Sequence, residues 1–158
     1  MSSDEALRKQ LVDSIRHAHA HIMFEDTVKG FPLEKAGVRP DGLPHSGWEL
    51  LEHLRIAQHD IYTFSVSADA YHEVKWPDDY WPALPEPPDA GAWTASVQQY
   101  LIDQRAFCDL LMDPSRDLFA PFVWGQGQTL LREALLILDH NSYHVGQLLL
   151  VKKALTTP

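Results

Sequence analysis

Two histidines near the C-terminus, His140 and His144, are the residues whose type and spacing first suggest chemistry. They lie in the stretch LDHNSYHVGQLLLVKK, an apolar run with the helical period. In an α-helix, side chains at this spacing stand one above the other, so both imidazoles could bind one metal ion. The pair alone is a weak indication, because helical histidines at this spacing also occur by chance.

A third candidate ligand is His53, in the stretch WELLEHLRIAQHD. The helical period places it at the border of an apolar stripe, from which it could face the C-terminal helix across a bundle. Three neutral imidazoles suit zinc, nickel or a similar divalent ion and leave a position open for water or substrate. A metal ion held by His53, His140 and His144 would therefore be reactive rather than structural.

The stretch RHAHAHIMFED contains a second pair of histidines at the same spacing, His17 and His21. Projected on the apolar face of the first helix, His17 points away from the core, and His19 and His21 lie at its edges. We therefore expect all three to be solvated or at the rim. A structural role for His53, His140 and His144 also stays open, with neighbours such as Tyr143 or backbone carbonyls satisfying them.

The elements that must position these residues are helices, because apolar residues recur with the helical period in four segments and no strand-like alternation is present. Ser2 with Glu5, and Ser46 with Glu49, have the spacing of capping boxes at the first two helices. The predicted helices cover residues 4–27, 47–67, 94–112 and about 129–154. Their number and length predict an all-α four-helix bundle, folded as one domain over residues 1–158.

The apolar patterns of the first and last helices determine which way the histidines on them point. The last helix has two such faces, and we expect His140 and His144 to lie on the second, with Ile137, Gln147 and Val151. The first face is expected to form a coiled-coil-like stripe of Leu131, Leu135, Leu138, Ser142, Val145 and Leu149. The first helix should pack through Leu7, Leu11, Ile15, Ala18 and Ile22.

Residues 67–93, between the second and third helices, form a long loop rich in tryptophan and proline. Its aromatic side chains are costly to leave in water, so we expect an ordered loop. We predict that Trp76, Tyr80 and Trp81 fold back over the bundle and form part of the wall or rim of the metal cleft. The alternative is that they only seal the end of the bundle.

The amino-acid composition argues against nucleic acid and anionic membranes as binding partners. With 13 basic and 22 acidic residues the formal charge is −9, which disfavours nucleic acid and anionic membrane. The single cysteine, Cys108, cannot form an internal disulfide. The N-terminal residues do not resemble a signal peptide, and no apolar run is long enough to span a membrane. We therefore expect a cytoplasmic protein.

The residues DHNSYHVGQLL and LPHSGWELLEHL together resemble the signature of the DinB/YfiT-like superfamily. The resemblance extends over most of the chain and implies a four-helix bundle, a divalent metal ion held by His53, His140 and His144, and often a homodimer. Members with an established activity use the metal with a low-molecular-weight thiol, as in thiol S-transferases and a mycothiol-dependent maleylpyruvate isomerase. Many others are described only as metal-dependent hydrolases.

Several reactions are disfavoured by the residues themselves. A metalloprotease helix needs a glutamate after its first histidine, where this chain has Asn141. A di-iron bundle needs Glu-x-x-His repeats, and none of the eight glutamates has a histidine three residues later. Cys108 lies on the core stripe of the third helix, where a free cysteine usually packs as a small hydrophobe.

The remaining enzyme hypothesis is a metal-dependent transferase that activates a small thiol for transfer to a small electrophile. The alternatives are a metal-dependent hydrolase and a non-catalytic, stress-associated metal-binding dimer. Residues expected to assist the site are Gln147, Asn141 and Asp60. Gln147 could instead cap or pack, Asn141 could be solvated, and Asp60 is roughly 10 Å along the axis from His53, too far for direct ligation. Glu25, on the apolar stripe of the first helix, could be a buried functional carboxylate, but we expect it to end that stripe in solvent.

Overall fold

A computed structural model describes residues 2–17 and 19–156, and in these ranges the chain is helical with no strand. Four long helices form a bundle in which α3 packs against α4 and α5, and α1 packs against α4 and α5 from another side. The predicted all-α class is confirmed, with one short helix added. The α-helices are α1 (Ser3–Arg16), α2 (Phe24–Val28), α3 (Gly47–Val66), α4 (Ala92–Met112) and α5 (Leu130–Thr156).

The start of α3 is fixed by the predicted capping box. The Ser46 hydroxyl accepts a hydrogen bond from the Glu49 amide at 3.2 Å, and the Glu49 carboxylate accepts one from the Ser46 amide at 2.7 Å. Arg39 then pairs with the same carboxylate through two nitrogens. The capping box satisfies the amides of Ser46 and Glu49 and so fixes where α3 begins, six residues before His53.

The prediction that one helix extends from residue 4 to 27 is wrong. The helix α1 ends at Arg16, His17 is extended, and a separate short helix begins at Phe24. Phe24 is buried and its ring stacks on Tyr100 of α4, with 3.9 Å between ring centroids. We attribute the break to this burial, because a bend in the chain lets Phe24 reach α4. Ala18, which was assigned to the same helix, lies outside the described residues.

Residues at the start of α1 connect it to the end of α4. The Ser2 hydroxyl accepts from the Glu5 amide, but the Glu5 carboxylate pairs with Lys9 at 2.7 Å, so only half of the predicted capping box forms. Arg8 is 4 % exposed and donates hydrogen bonds to the carbonyl groups of Leu111, Asp113 and Arg116. A buried guanidinium thus satisfies carbonyls at and beyond the C-terminus of α4.

The core face of α5 is the one that carries Ile137 and Val151, which are both buried. Of the stripe predicted through Leu135, Val145 is buried and Leu131 and Leu138 are partly buried against the core, whereas Leu135 is 53 % exposed. Both predicted faces are apolar in sequence, and the packing of α1, α2 and α3 against α5 determines which of their residues are buried. The buried apolar residues of α5 are Leu130, Ala134, Ile137, Val145, Leu148 and Val151.

Candidate metal centre

His53 enters the site from α3 and is 2 % exposed. Its Nδ1 lies 2.8 Å from the backbone carbonyl oxygen of Tyr80, in the loop between α3 and α4. A carbonyl oxygen only accepts hydrogen bonds, so Nδ1 carries the proton of the neutral ring. His53 therefore presents an unprotonated Nε2 toward α5.

His144 is oriented in the same way by a residue of its own helix. Its Nδ1 lies 2.7 Å from the side-chain oxygen of Gln147, less than one turn further along α5. The proton is therefore on Nδ1, and Nε2 is the nitrogen that faces α3. Gln147 has the orienting position expected from the sequence, and outer hydrogen bonds of this type fix the tautomer of metal-binding histidines.

His140 completes the cluster. Its Nε2 lies 3.0 Å from Nε2 of His53, which in turn lies 3.1 Å from Nε2 of His144. Each ring offers one nitrogen to a group in which all three atoms lie within 4.8 Å of one another. Nδ1 of His140 is buried and has no hydrogen-bond partner among the described residues. The structure thus brings together the three histidines that the sequence singled out.

The electrostatics of the cluster keep its rings neutral. Burial lowers the pKa of His53 from 6.5 to about 4, even though the hydrogen bond to Tyr80 acts in the opposite direction. Burial also lowers the pKa of His144 to about 4, with a further contribution from the neighbouring His140 and His53. The pKa of His140 is lowered by burial as well. Neutral imidazole is the form that binds metal ions.

An aromatic stack covers one side of the cluster. The indole of Trp81 lies parallel to the His53 ring, with 3.9 Å between centroids and 2° between planes. Trp81 also stacks on the ring of His45, with 4.2 Å between the ring centroids. Of the three loop aromatics predicted beside His53, Trp81 and Tyr80 contact it, whereas Trp76 is 70 % exposed and lies edge-on against Tyr80.

The other residues weighed from the sequence lie outside the cluster. Asn141 donates to the side-chain oxygen of Gln58 at 2.9 Å. Asp60 accepts from the Tyr80 hydroxyl at 2.7 Å, so it contacts the loop that holds His53 but not the histidine nitrogens. Glu25 is exposed.

Cys108 and the histidines near the end of α1 are not part of the cluster. Cys108 is buried in the core, and burial raises the pKa of its thiol to about 11, as expected for a packing residue. The histidines at 17, 19 and 21 are exposed. His17 and His19 lie near the Asp13 carboxylate, and His21 contacts the Ser142 hydroxyl at 2.9 Å.

Sequence reasoning missed the roles of His45 and Gln58. His45 lies in the loop before α3, where no periodicity relates it to Trp81 or His53. Gln58 is fully buried and donates to the backbone carbonyl of Tyr100 while it accepts from Asn141. The only signal for Gln58 was its position one residue after Ala57 of the apolar stripe, which is too weak to identify a buried polar contact.

The fold and the cluster define a class of protein: a helical bundle with three histidines from two adjacent helices at one centre. The family model described as the DinB superfamily matches residues 8–148. The match covers most of the chain, including every residue of the cluster, and the chain belongs to the DinB superfamily.

No curated protein matches the chain, and neither does any solved structure. Within residues 2–17 and 19–156, no helix is both long and apolar enough to cross a lipid bilayer.

Proposed function

We propose that His53, His140 and His144 hold one divalent metal ion, with zinc or nickel as the expected metal. The observation that carries this proposal is the contact between Nε2 of His53 and Nε2 of His144, at 3.1 Å. Both rings have their proton on Nδ1, so two nitrogen lone pairs face each other, an arrangement that a shared cation would stabilise. If the histidines were only structural, a hydrogen-bond donor would be expected between these atoms.

The donor set fits such an ion. Neutral imidazole nitrogens suit zinc and nickel, and the cluster contains no cysteine or carboxylate that would close a structural site. When bound, the ion would supply Lewis acidity that lowers the pKa of a thiol placed in its remaining position. The Tyr80 carbonyl and Gln147 hold two of the rings in place, while Trp81 keeps water from one face of His53.

We further propose that the protein transfers a low-molecular-weight thiol to a small electrophile. The new bond joins the thiol sulfur to the electrophilic carbon, and the thiol proton passes to the electrophile or its leaving group. Support comes from the residue after His140, because Asn141 cannot act as a general base and its amide is engaged by Gln58. Thiol transfer has less need of such a base than hydrolysis does, because a thiol loses its proton more readily than water.

The experiment compares the metal-loaded protein with the His140→Ala variant, using several small thiols and a model electrophile. We expect the wild-type protein to accelerate conjugation, the variant to lose most of this acceleration, and chelation to abolish the difference. Hydrolysis of esters or amides without thiol transfer would favour the hydrolase function instead. If protein with confirmed metal content does neither, it is a binding protein.

A homodimer is the assembly that we propose for this function. One face of α5 presents apolar side chains to solvent, with Leu135, Tyr143 and Leu150 all more than half exposed and Gly146 between them. A second copy could cover this face, and a glycine there allows close approach of helices. Light scattering after size-exclusion chromatography should give a dimer for the wild-type protein and a monomer for Leu150→Glu. A monomeric wild-type protein would exclude this assembly.

A further inference from the structure

A cavity of about 140 Å³ is lined by the start of α3, by the loop before it and by α5. Among the described residues, its lining includes no Asp, Glu, Lys or Arg side chain. A charged ligand would lose hydration there without gaining an ionic partner, so the cavity suits a neutral group. The apolar residues of the lining are Leu43, Pro44, Leu50, Leu150 and Val151.

The two polar residues of the lining lead to two different histidines of the cluster. Gln147 accepts from Nδ1 of His144 at 2.7 Å through its side-chain oxygen. His45 stacks on Trp81, whose indole also stacks on the ring of His53. The cavity therefore adjoins the metal centre through residues that contact its ligands, although it contains no histidine of the cluster.

The side-chain nitrogen of Gln147 is an unused donor that a ligand can reach. Its oxygen is engaged by His144, whereas Nε2 has no hydrogen-bond partner among the described residues. In the described part of the chain, the only buried side-chain nitrogen or oxygen atoms without a partner are Oδ1 of Asp60 and Nδ1 of His140, so Nε2 is accessible. Because Gln147 lines the cavity, this N–H group can donate to an oxygen atom of a bound molecule.

The volume of the cavity indicates the size of the apolar group that it admits. An engineered apolar cavity of about 150 Å³ takes up benzene, and the cavity beside Gln147 has a similar volume. Burial of an aromatic ring against leucine and valine side chains removes apolar surface from water, which stabilises the complex. A ring of phenyl size therefore fits the lining in both size and polarity.

We propose that this cavity binds a small neutral aromatic compound that carries a carbonyl oxygen, with the ring against the leucines and the oxygen accepting from Nε2 of Gln147. The inference rests on the proposed function in one respect, because it identifies this compound with the electrophile. Leu150 also belongs to the α5 face proposed for the dimer, so binding is measured on the wild-type protein in the assembly that it forms.

Three unreactive probes separate the ring from the oxygen. Toluene has only the ring, acetone only the carbonyl oxygen, and acetophenone has both. Their dissociation constants for the metal-loaded protein are measured by NMR titration, without a thiol and without turnover. Leu43→Trp fills the cavity from a half-buried position, and Leu84→Trp makes the same change at an exposed leucine outside it.

Gln147→Glu tests the donor. A glutamate keeps an acceptor for Nδ1 of His144, but a carboxylate has no N–H group to offer a ligand. Gln98→Glu makes the same charge change at an exposed residue of α4 outside the cavity. Metal content and melting temperature show for each variant that it is folded and loaded.

We expect acetophenone to bind about fivefold more tightly than toluene, because it gains one hydrogen bond, and acetone to bind weakest of the three. Leu43→Trp should weaken toluene and acetophenone by about tenfold, whereas Leu84→Trp should leave both unchanged. Gln147→Glu should remove the advantage of acetophenone over toluene, and Gln98→Glu should preserve it.

The outcomes distinguish failure of this inference from failure of the proposed function. Absence of binding by toluene and acetophenone, or binding that a folded Leu43→Trp variant retains in full, would overturn the inference even if thiol transfer is observed. An advantage of acetophenone that persists in Gln147→Glu would show that Gln147 is not the donor. If the probes bind as expected but thiol conjugation to phenacyl chloride, an aromatic ketone electrophile, is not accelerated, the cavity binds as inferred and the thiol function is wrong.

Discussion

The indole of Trp81 and the imidazole of His53 are parallel, with 3.9 Å between their centroids. Trp81 therefore covers a face of a ring whose Nε2 we assign to the metal ion. We predict that Trp81→Ala releases metal to a chelator several-fold faster than the wild-type protein, because water reaches the site more easily. Trp76→Ala is the matched control, since Trp76 is exposed and contacts Tyr80 rather than the cluster. Equal release rates in both variants would show that the stack has no such role.

Gln147 should matter for metal affinity through His144. Its side-chain oxygen accepts from Nδ1 at 2.7 Å, so Gln147→Ala should weaken metal binding by about 10–100-fold. Gln147→Glu keeps an acceptor and should retain or strengthen binding. Competition with a chromogenic chelator gives the affinities, and Gln98→Ala, an exposed residue of α4, serves as control. An unchanged affinity in Gln147→Ala would mean that the tautomer of His144 is fixed in some other way.

Arg8 should contribute to stability and leave the metal centre unaffected. Replacing it with methionine removes the donors to three backbone carbonyls at the end of α4 and beyond, and we expect a loss of about 2–4 kcal/mol in the free energy of unfolding. Urea denaturation monitored by circular dichroism measures this loss. The control is Arg105→Met, at an exposed position of α4, which should change stability little. A similar effect of both substitutions would argue against the role of Arg8.

A pH dependence of stability should come from His59. Its Nδ1 lies 2.9 Å from the buried Asp103 carboxylate, which is the main reason that the pKa of His59 is raised above 6.5. A raised pKa in the folded state means that this stabilisation is complete below pH 6.5 and is lost as pH rises through the folded value.

His59→Gln tests this dependence. The difference in unfolding free energy between the wild-type protein and the variant should be largest in mild acid and shrink toward alkaline pH. The effect should be small, because about half of the His59 side chain is exposed. A difference that stays constant with pH would show that the His59–Asp103 contact does not depend on protonation.

The helices were predictable where local chemistry and periodicity agree. Ser46 and Glu49 define the start of α3 by direct hydrogen bonds, and such a signal is complete within four residues of sequence. The end of α1 was not predictable, because it depends on Phe24 reaching Tyr100 of a helix far along the chain. The apolar period past Arg16 gives no sign of this contact.

The three histidines of the candidate site, the orienting Gln147 and the neighbouring Tyr80 and Trp81 were predictable as candidates, whereas the contacts that fix them were not. Helical spacing relates His140 to His144, and resemblance to a family places His53 with them. The Tyr80 carbonyl and the ring of His45 come from loops, whose backbone course is determined by tertiary packing and has no period in the sequence. Asp60 was expected to assist the site from two turns beyond His53, and its hydrogen bond with the Tyr80 hydroxyl depends on the course of the loop, which has no period in the sequence.

Metal analysis of untagged protein tests the central claim most directly. Mass spectrometry of the metal content should be run on the wild-type protein, on His144→Ala and on His21→Ala, an exposed histidine outside the cluster. We predict one divalent ion per chain in the wild-type protein and in His21→Ala, and loss of most of it in His144→Ala, with helical content unchanged by circular dichroism. Full occupancy in a folded His144→Ala variant, or a wild-type protein that takes up no ion when zinc or nickel is supplied, would contradict the assignment.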